Sequence, residues 1–371
     1  SVPLVFRGDG GASRLVFAGA GNGGAWSMWR VRASQNIKFL NLHMEMGLIV
    51  NPDPNTGADP HHLIHLDNNG EPASSIENIE IAGCVFRWCR GDQVKLICEN
   101  NASNIRARAV WVHHNYFNGT STFGFLDPND DPVGCRSCVQ VQRNVESIWV
   151  TDNYMTGCAK AMIDFEPTGV GPVGSFKVDR NILVNAPPNG TDGSSSVSIS
   201  GNGTADPNSY SSFSDNILLH GGMQTRMLDR CIIARNIIID DRIHANPTLN
   251  LNGLVHSCRI SDNYIRRSST VSTLQPVVLI QHGGSGGNTD VPSEVRVENN
   301  DIIQEKYASV AFLEGVTGTT YFRGNRCYYN GPDYVVSDGN PETLEDGNIF
   351  HLLARSQGKT PASNITVSDN T

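Results

Sequence analysis

Val110-Trp-Val-His-His-Asn115 and Ile148-Trp-Val-Thr-Asp-Asn153 are two copies of one phrase: apolar residues at alternate positions, polar residues after them, and an Asn at the close. The phrase returns as Phe176-Lys-Val-Asp-Arg-Asn181, Cys231-Ile-Ile-Ala-Arg-Asn236, Cys258-Arg-Ile-Ser-Asp-Asn263, Val295-Arg-Val-Glu-Asn-Asn300, Thr320-Tyr-Phe-Arg-Gly-Asn325 and Ile365-Thr-Val-Ser-Asp-Asn370. A degenerate copy ends at Asn216, and copies beginning at Ile37 and Ile79 carry Leu42 and Cys84 in place of the Asn. The closing residues lie 20 to 45 positions apart, the period of a solenoid whose length variation falls in loops. Alternation of period two makes each phrase a half-buried strand. Asn tolerates the left-handed backbone of a tight bend and can bond to its own copy one coil away, so the pattern predicts an asparagine ladder at the bends.

A second strand is expected after each bend, in Gln93–Cys98, Ala161–Glu166, Ser196–Ser200, Val277–Gln281 and Ser309–Glu314, with long polar loops leading to the next repeat. Leucine-rich repeats, propeller blades and helical solenoids do not fit this spacing and alternation. The expected fold is all-β: a single right-handed parallel β-helix over residues 1–371, with about 11–12 coils.

Bulk composition agrees with that reading. Hydrophobic residues make up 39% and charged residues 18%, and 37 glycines supply turns. The net charge of −9, without a Lys/Arg stripe, argues against a nucleic-acid partner. No apolar stretch is long enough to span a bilayer, and Ser1-Val-Pro3 does not begin like a signal peptide, so membrane insertion is not expected. The chain starts inside one β pattern and stops at Asp369-Asn-Thr371 inside another, so it is expected to be a fragment. Nine cysteines are an odd number; Cys231 and Cys258 occupy matching core positions, and Cys135-x-x-Cys138 reads as core, loop or an incidental disulfide.

The Asn-bend repeats, the opening Gly8-Asp-Gly-Gly-Ala-Ser-Arg-Leu-Val-Phe17 and the segment Ser34-Gln-Asn-Ile-Lys-Phe-Leu-Asn-Leu42 resemble the pectate-lyase-like superfamily of right-handed β-helices. That superfamily includes polysaccharide lyases, mannuronan epimerases and phage tailspike depolymerases, so the resemblance implies a polysaccharide as partner while leaving the reaction open. Ile163-Asp-Phe-Glu-Pro167 is similar to a segment found in many β-helix proteins of bacteria and phages. Asp59-Pro-His61 resembles part of an epimerase active-site motif, with His62 where that motif has an acid.

Outward columns are where a solenoid can keep chemistry, because matching positions on adjacent coils lie about 4.8 Å apart. Trp111 and Trp149 are expected to stack outside the first strands, with His113 near them, as a platform for sugar rings. The second strands are expected to present His65, Asp67, Lys95, Glu99, Asp164 and Glu166, with Asp127 ending the intervening strand Thr122–Asp127, in a patch beside the tryptophans. Crowded carboxylates raise one another's pKa and supply a proton donor. Asp164, Glu166, Asp127, Lys95 and His65 are the catalytic candidates, and Trp111, Trp149, His113, Arg143, Asp67 and Glu99 the substrate-binding ones. Paired acids suit hydrolysis, whereas Lys95, His65 and Arg143 could serve elimination or epimerisation, with Ca²⁺ as an optional aid and Asp127-Pro-Asn-Asp-Asp131 as its oxygen-rich turn. The expectation is a carbohydrate-active enzyme cutting within a polysaccharide chain, extracellular or virion-associated, trimeric if a tailspike. Its rivals are an adhesin that holds glycan without cutting it and a mannuronan C5-epimerase-like enzyme.

Overall fold

The computed structural model describes residues 2–9, 14–17, 27–32, 34–46, 62–68, 75–87, 89, 91–98, 107–120, 135–158, 161–166, 175–184, 195–200, 210–226, 230–242, 247–252, 255–268, 276–281, 293–305, 310–314, 320–329, 342–343, 352–355 and 365–370. The fold is a parallel β-helix, and every described element is a strand. Parallel crossovers between strands of L-residues wind right-handed. The chain divides into two compact units, Ser1–Asp192 and Gly193–Thr371.

In the first unit, sheet A runs Leu4–Arg7, Gln35–Leu40, Ile76–Ala82, Ala107–His113, Ser147–Thr151 and Ser175–Asp179. Sheet B collects the short strands that follow the bends, among them Val85–Phe86, Tyr116–Asn118, Tyr154–Thr156 and Ile182–Val184. Sheet C holds Ser27–Arg32, His62–Asp67, Asp92–Cys98, Ser137–Arg143 and Ile163–Glu166. The second unit repeats this A–B–C order, with six sheet A strands from Ser211–Ser214 to Ile365–Ser368. One short strand, Glu342–Thr343, pairs antiparallel with Leu352–Arg355.

The core consists of columns rather than a cluster. Phe39, Ile81, Val112, Val150 and Val178 are registered neighbours on sheet A, and all are fully buried. Phe86 and Phe117 stack at 4.6 Å on sheet B, followed by Met155 and Leu183. Leu66, Leu96, Val141 and Phe165 form the sheet C column. Each such side chain contributes about 1.5–3 kcal/mol of burial.

The asparagine ladder is present and its geometry refines the expectation. Asn153 Oδ1 accepts from both the backbone N–H and the side-chain amide of Asn115, at 3.0 Å each, while the Asn153 amide donates to Val112 O at 2.9 Å. Asn181 repeats the arrangement toward Asn153, and Asn236, Asn263, Asn300 and Asn325 do so in the second unit. The left-handed residue is not the Asn but the one before it: His114, Asp152, Arg180, Asp215, Arg235, Asp262 and Asn299 have φ between 54° and 61°. The bend therefore turns the preceding, solvent-facing side chain outward and points the Asn into the coil.

Two further differences concern the elements. The sequence pattern shows two strands per coil where the molecule has three, because sheet B strands of two to four residues are too short to display an alternation. The strand between Asp92–Cys98 and Ile163–Glu166 is Ser137–Arg143, not Thr122–Asp127. Ser137–Arg143 sets Val139 and Val141 in the core against outward Gln140 and Gln142, an alternation that satisfies both faces. Thr122–Asp127 lies outside the described residues.

Candidate functional site

Register on sheet C sets Arg30, His65, Lys95, Gln140 and Asp164 in one file, and Arg32, Asp67, Ile97, Gln142 and Glu166 in the next. Both files face away from the core, since Ile64, Leu66, Val94, Leu96, Val139, Val141, Ile163 and Phe165 occupy it. Outward does not mean exposed here: Asp67 is 2% exposed, and Gln140 and Asp164 are 0%. Charged groups withdrawn from water this far are costly unless they face partners. The polar contacts between strands are those partners.

Toward the earlier coils, Arg30 Nε donates to Asp67 Oδ2 at 2.5 Å, and His65 Nε2 stands 3.9 Å from the same oxygen. Burial pushes the His65 imidazolium down to about pKa 4; Asp67 opposes that shift and Lys95, Arg30 and Arg32 reinforce it. His62 lies beside it with rings 5.0 Å apart, its Nδ1 accepting from the Asp92 backbone N–H at 3.1 Å.

Toward the later coils the acids gather. Asp92 opens its strand, in register with Ser137 and one residue from Arg136, whose N–H bonds to Gly91 O at 2.8 Å. Arg136 reaches Asp164 Oδ2 at 3.8 Å and Glu166 Oε1 at 3.6 Å. Gln142 Nε2 donates to Glu166 Oε2 at 2.8 Å, and Gln140 Nε2 donates to Asp164 Oδ2 at 3.4 Å. Lys95 Nζ lies 3.7 Å from Asp92 Oδ2, and burial lowers the lysine pKa against the pull of Asp92.

Asp92 is the chemically unusual member. It is 1% exposed, and neither carboxylate oxygen has a hydrogen-bond partner among the described residues. Burial raises its pKa to about 6; Lys95 and Arg136 act against the rise, while Asp164 and Glu166 add to it. Its carboxyl group thus keeps its proton into the mildly acidic range, whereas the Glu166 side chain is 25% exposed.

Of the candidates named from the sequence, His65, Asp67, Lys95, Asp164 and Glu166 come together on sheet C. Asp127 and Glu99 lie outside the described residues, as do Asp59-Pro-His61 and the Asp127–Asp131 turn, and so does the Arg143 side chain. Trp111, Trp149 and His113 do not join the acids. They stand on sheet A, a different face of the coil, because a sheet B strand and its bends separate the two files within each repeat. There the indoles meet at 5.1 Å with planes 46° apart, and Trp111 is 49% exposed. They border a hollow of about 310 Å³ whose rim includes Asn36, Lys38, Asn78 and Glu80.

Asp92, Arg136, Gln140 and Gln142 escaped the sequence reading. Asp92 sits one residue before the run that looked like a strand, and Arg136 hides inside the Cys135-x-x-Cys138 spacing. The alternation Val139-Gln-Val-Gln142 was the available signal for the intervening strand. Among the described residues no three His, Cys, Asp or Glu side chains converge on a point a metal could occupy, and the sheet C acids face Arg136 and Lys95 instead.

No protein-family model matches the chain, and no curated protein is similar to it in sequence. Among solved structures it is similar to the A-module of mannuronan C-5 epimerase AlgE6 from Azotobacter vinelandii, with 13% identity and a TM-score of 0.35, covering 100% of this chain and 89% of that one. A likeness of that size bears on neither substrate nor reaction. Among the described residues, no helix is long and apolar enough to cross a membrane.

Proposed function

We propose that this protein is a carbohydrate-active enzyme that cleaves within a polysaccharide chain by acid–base chemistry on sheet C. The observation that carries the reading is the buried Asp92, its pKa raised to about 6, on the sheet C strand next but one to that of Asp164 and Glu166. Asp92 pairs with Ser137, three and five residues before Gln140 and Gln142, which pair with Asp164 and Glu166, so the acids are offset along the strands as well as across two of them; a donor and a base held apart in this way leave room for a water between them. In this assignment Asp92 gives its proton to the glycosidic oxygen as the bond to the sugar breaks. Glu166 takes a proton from the water that attacks the other face. Gln140 and Gln142, on the strand between them, hold Asp164 and Glu166 by their amides, and Arg136 holds the same acid pair in place.

Incubation with a panel of polysaccharides separates the chemistries. New reducing ends without ultraviolet absorbance from an unsaturated sugar support hydrolysis. Both signals together assign elimination, with Lys95 as the base its lowered pKa allows. Asp92→Asn and Glu166→Gln are each expected to lower turnover by about 10²-fold or more. Full activity in both variants moves the site off sheet C.

A second reading has its own observation. The Trp111–Trp149 pair, with Trp111 exposed and Trp149 half-buried, beside a hollow on sheet A suits the apolar faces of sugar rings. It favours a β-helix that holds glycan without cutting it. Binding without any new chain ends, abolished by Trp111→Ala and untouched by Glu166→Gln, would establish that reading.

A further inference from the structure

Four of the nine cysteines crowd the turns from which the site strands start. Cys89 precedes Asp92–Cys98, Cys135 and Cys138 flank the start of Ser137–Arg143, and Cys158 precedes Ile163–Glu166. Their sulfurs form two close pairs, each joining adjacent coils: Cys89 and Cys135 at 3.3 Å, and Cys138 and Cys158 at 3.1 Å. Three of the four are 0% exposed and Cys158 is 8%. The backbone is fitted to this crowding. Cys135 and Cys158 are bridge partners, Cys89 N–H points at the Cys135 sulfur at 3.1 Å, and a Cβ on Gly119 would meet both Cys135 Cβ and Cys158 Sγ at 3.0 Å.

We propose that Cys89–Cys135 and Cys138–Cys158 are disulfide-forming pairs that staple three successive coils at the starts of the strands carrying the sheet C cluster. The inference stands on the sulfur geometry and does not depend on the catalytic reading. The chemistry needs a small-molecule disulfide as oxidant. One protein thiolate attacks it and expels one small thiol; the second protein thiolate attacks the mixed disulfide and expels the other. Two protein thiols and one reagent disulfide become one protein disulfide and two reagent thiols, with no electrons unaccounted for. Burial pushes the Cys89 and Cys158 thiols well above their ordinary pKa, and the Cys138 thiol upward too. Little thiolate exists in the folded chain, so the bonds close during folding and the folded reduced protein exchanges slowly.

The test is oxidative refolding of the full chain in oxidised and reduced glutathione, followed by alkylation, digestion and mass spectrometry. The expected products are peptides linked through Cys89–Cys135 and Cys138–Cys158. Reduction should then lower the melting midpoint by roughly 5–10 °C. Cys89→Ser should remove the first link and keep the second. Recovery of all four cysteines as alkylated thiols, or links joining them to other cysteines, would overturn the proposal.

Discussion

Asp92 faces two opposed demands, and the pH dependence of stability should show both. Its folded pKa of about 6 lies above the ordinary 3.8, so the folded state holds a proton that the unfolded state has released between those values. Stability therefore falls as pH rises from about 4 to 6 and stays low above. His65 has the opposite sign: with a folded pKa near 4 against an ordinary 6.5, it makes stability rise across that window. Asp92→Asn should remove the falling contribution and gain about 3 kcal/mol at pH 7, with little gain at pH 4, as denaturant midpoints would register. A flat difference between variant and parent from pH 4 to 7 would show that folding does not raise the Asp92 pKa. The residue scale was the least legible in the sequence. The rungs of the ladder could be named, yet the left-handed φ fell one position earlier, since one residue must turn out for the next to turn in. Asp92 could not be found at all, because its pKa arises first from burial, which no local pattern marks, and then from charges on its own and later coils.

At the scale of elements, the ladder is the most testable part. Asn153→Ala removes the acceptor for two Asn115 donors and exposes Val112 O to an empty site, all of them buried. Buried polar groups left unpaired cost about 1–3 kcal/mol each after relaxation, so a loss of roughly 2–4 kcal/mol is expected by equilibrium unfolding. A loss under about 0.5 kcal/mol would mean that the ladder is ornamental. Strands of sheets A and C were readable because four or more alternating residues reveal a buried face, as in Ile163-Asp-Phe-Glu166. Sheet B was not, because Tyr116–Asn118 or Ile182–Val184 buries a single residue. That hidden element explains why the tryptophans and the acids, adjacent in a two-strand picture, stand on different faces.

At the scale of the molecule, winding converts distant sequence positions into neighbours. Asp92, Arg136 and Glu166 belong to three coils and no local motif, so neither spacing nor composition could assemble them. The repeat made the solenoid evident, while its loops, which differ in length from coil to coil, left open which outward file would be shielded from water. The central claim is that sheet C carries a working acid–base site. Its most direct test is a crystal structure of the Glu166→Gln variant soaked with an oligosaccharide of the polymer it binds. Sugar rings lying across Gln140 and Gln142, with the glycosidic oxygen within hydrogen-bond reach of Asp92, are the predicted result. Sugar bound only along Trp111 and Trp149 on sheet A, with sheet C bare, would contradict it.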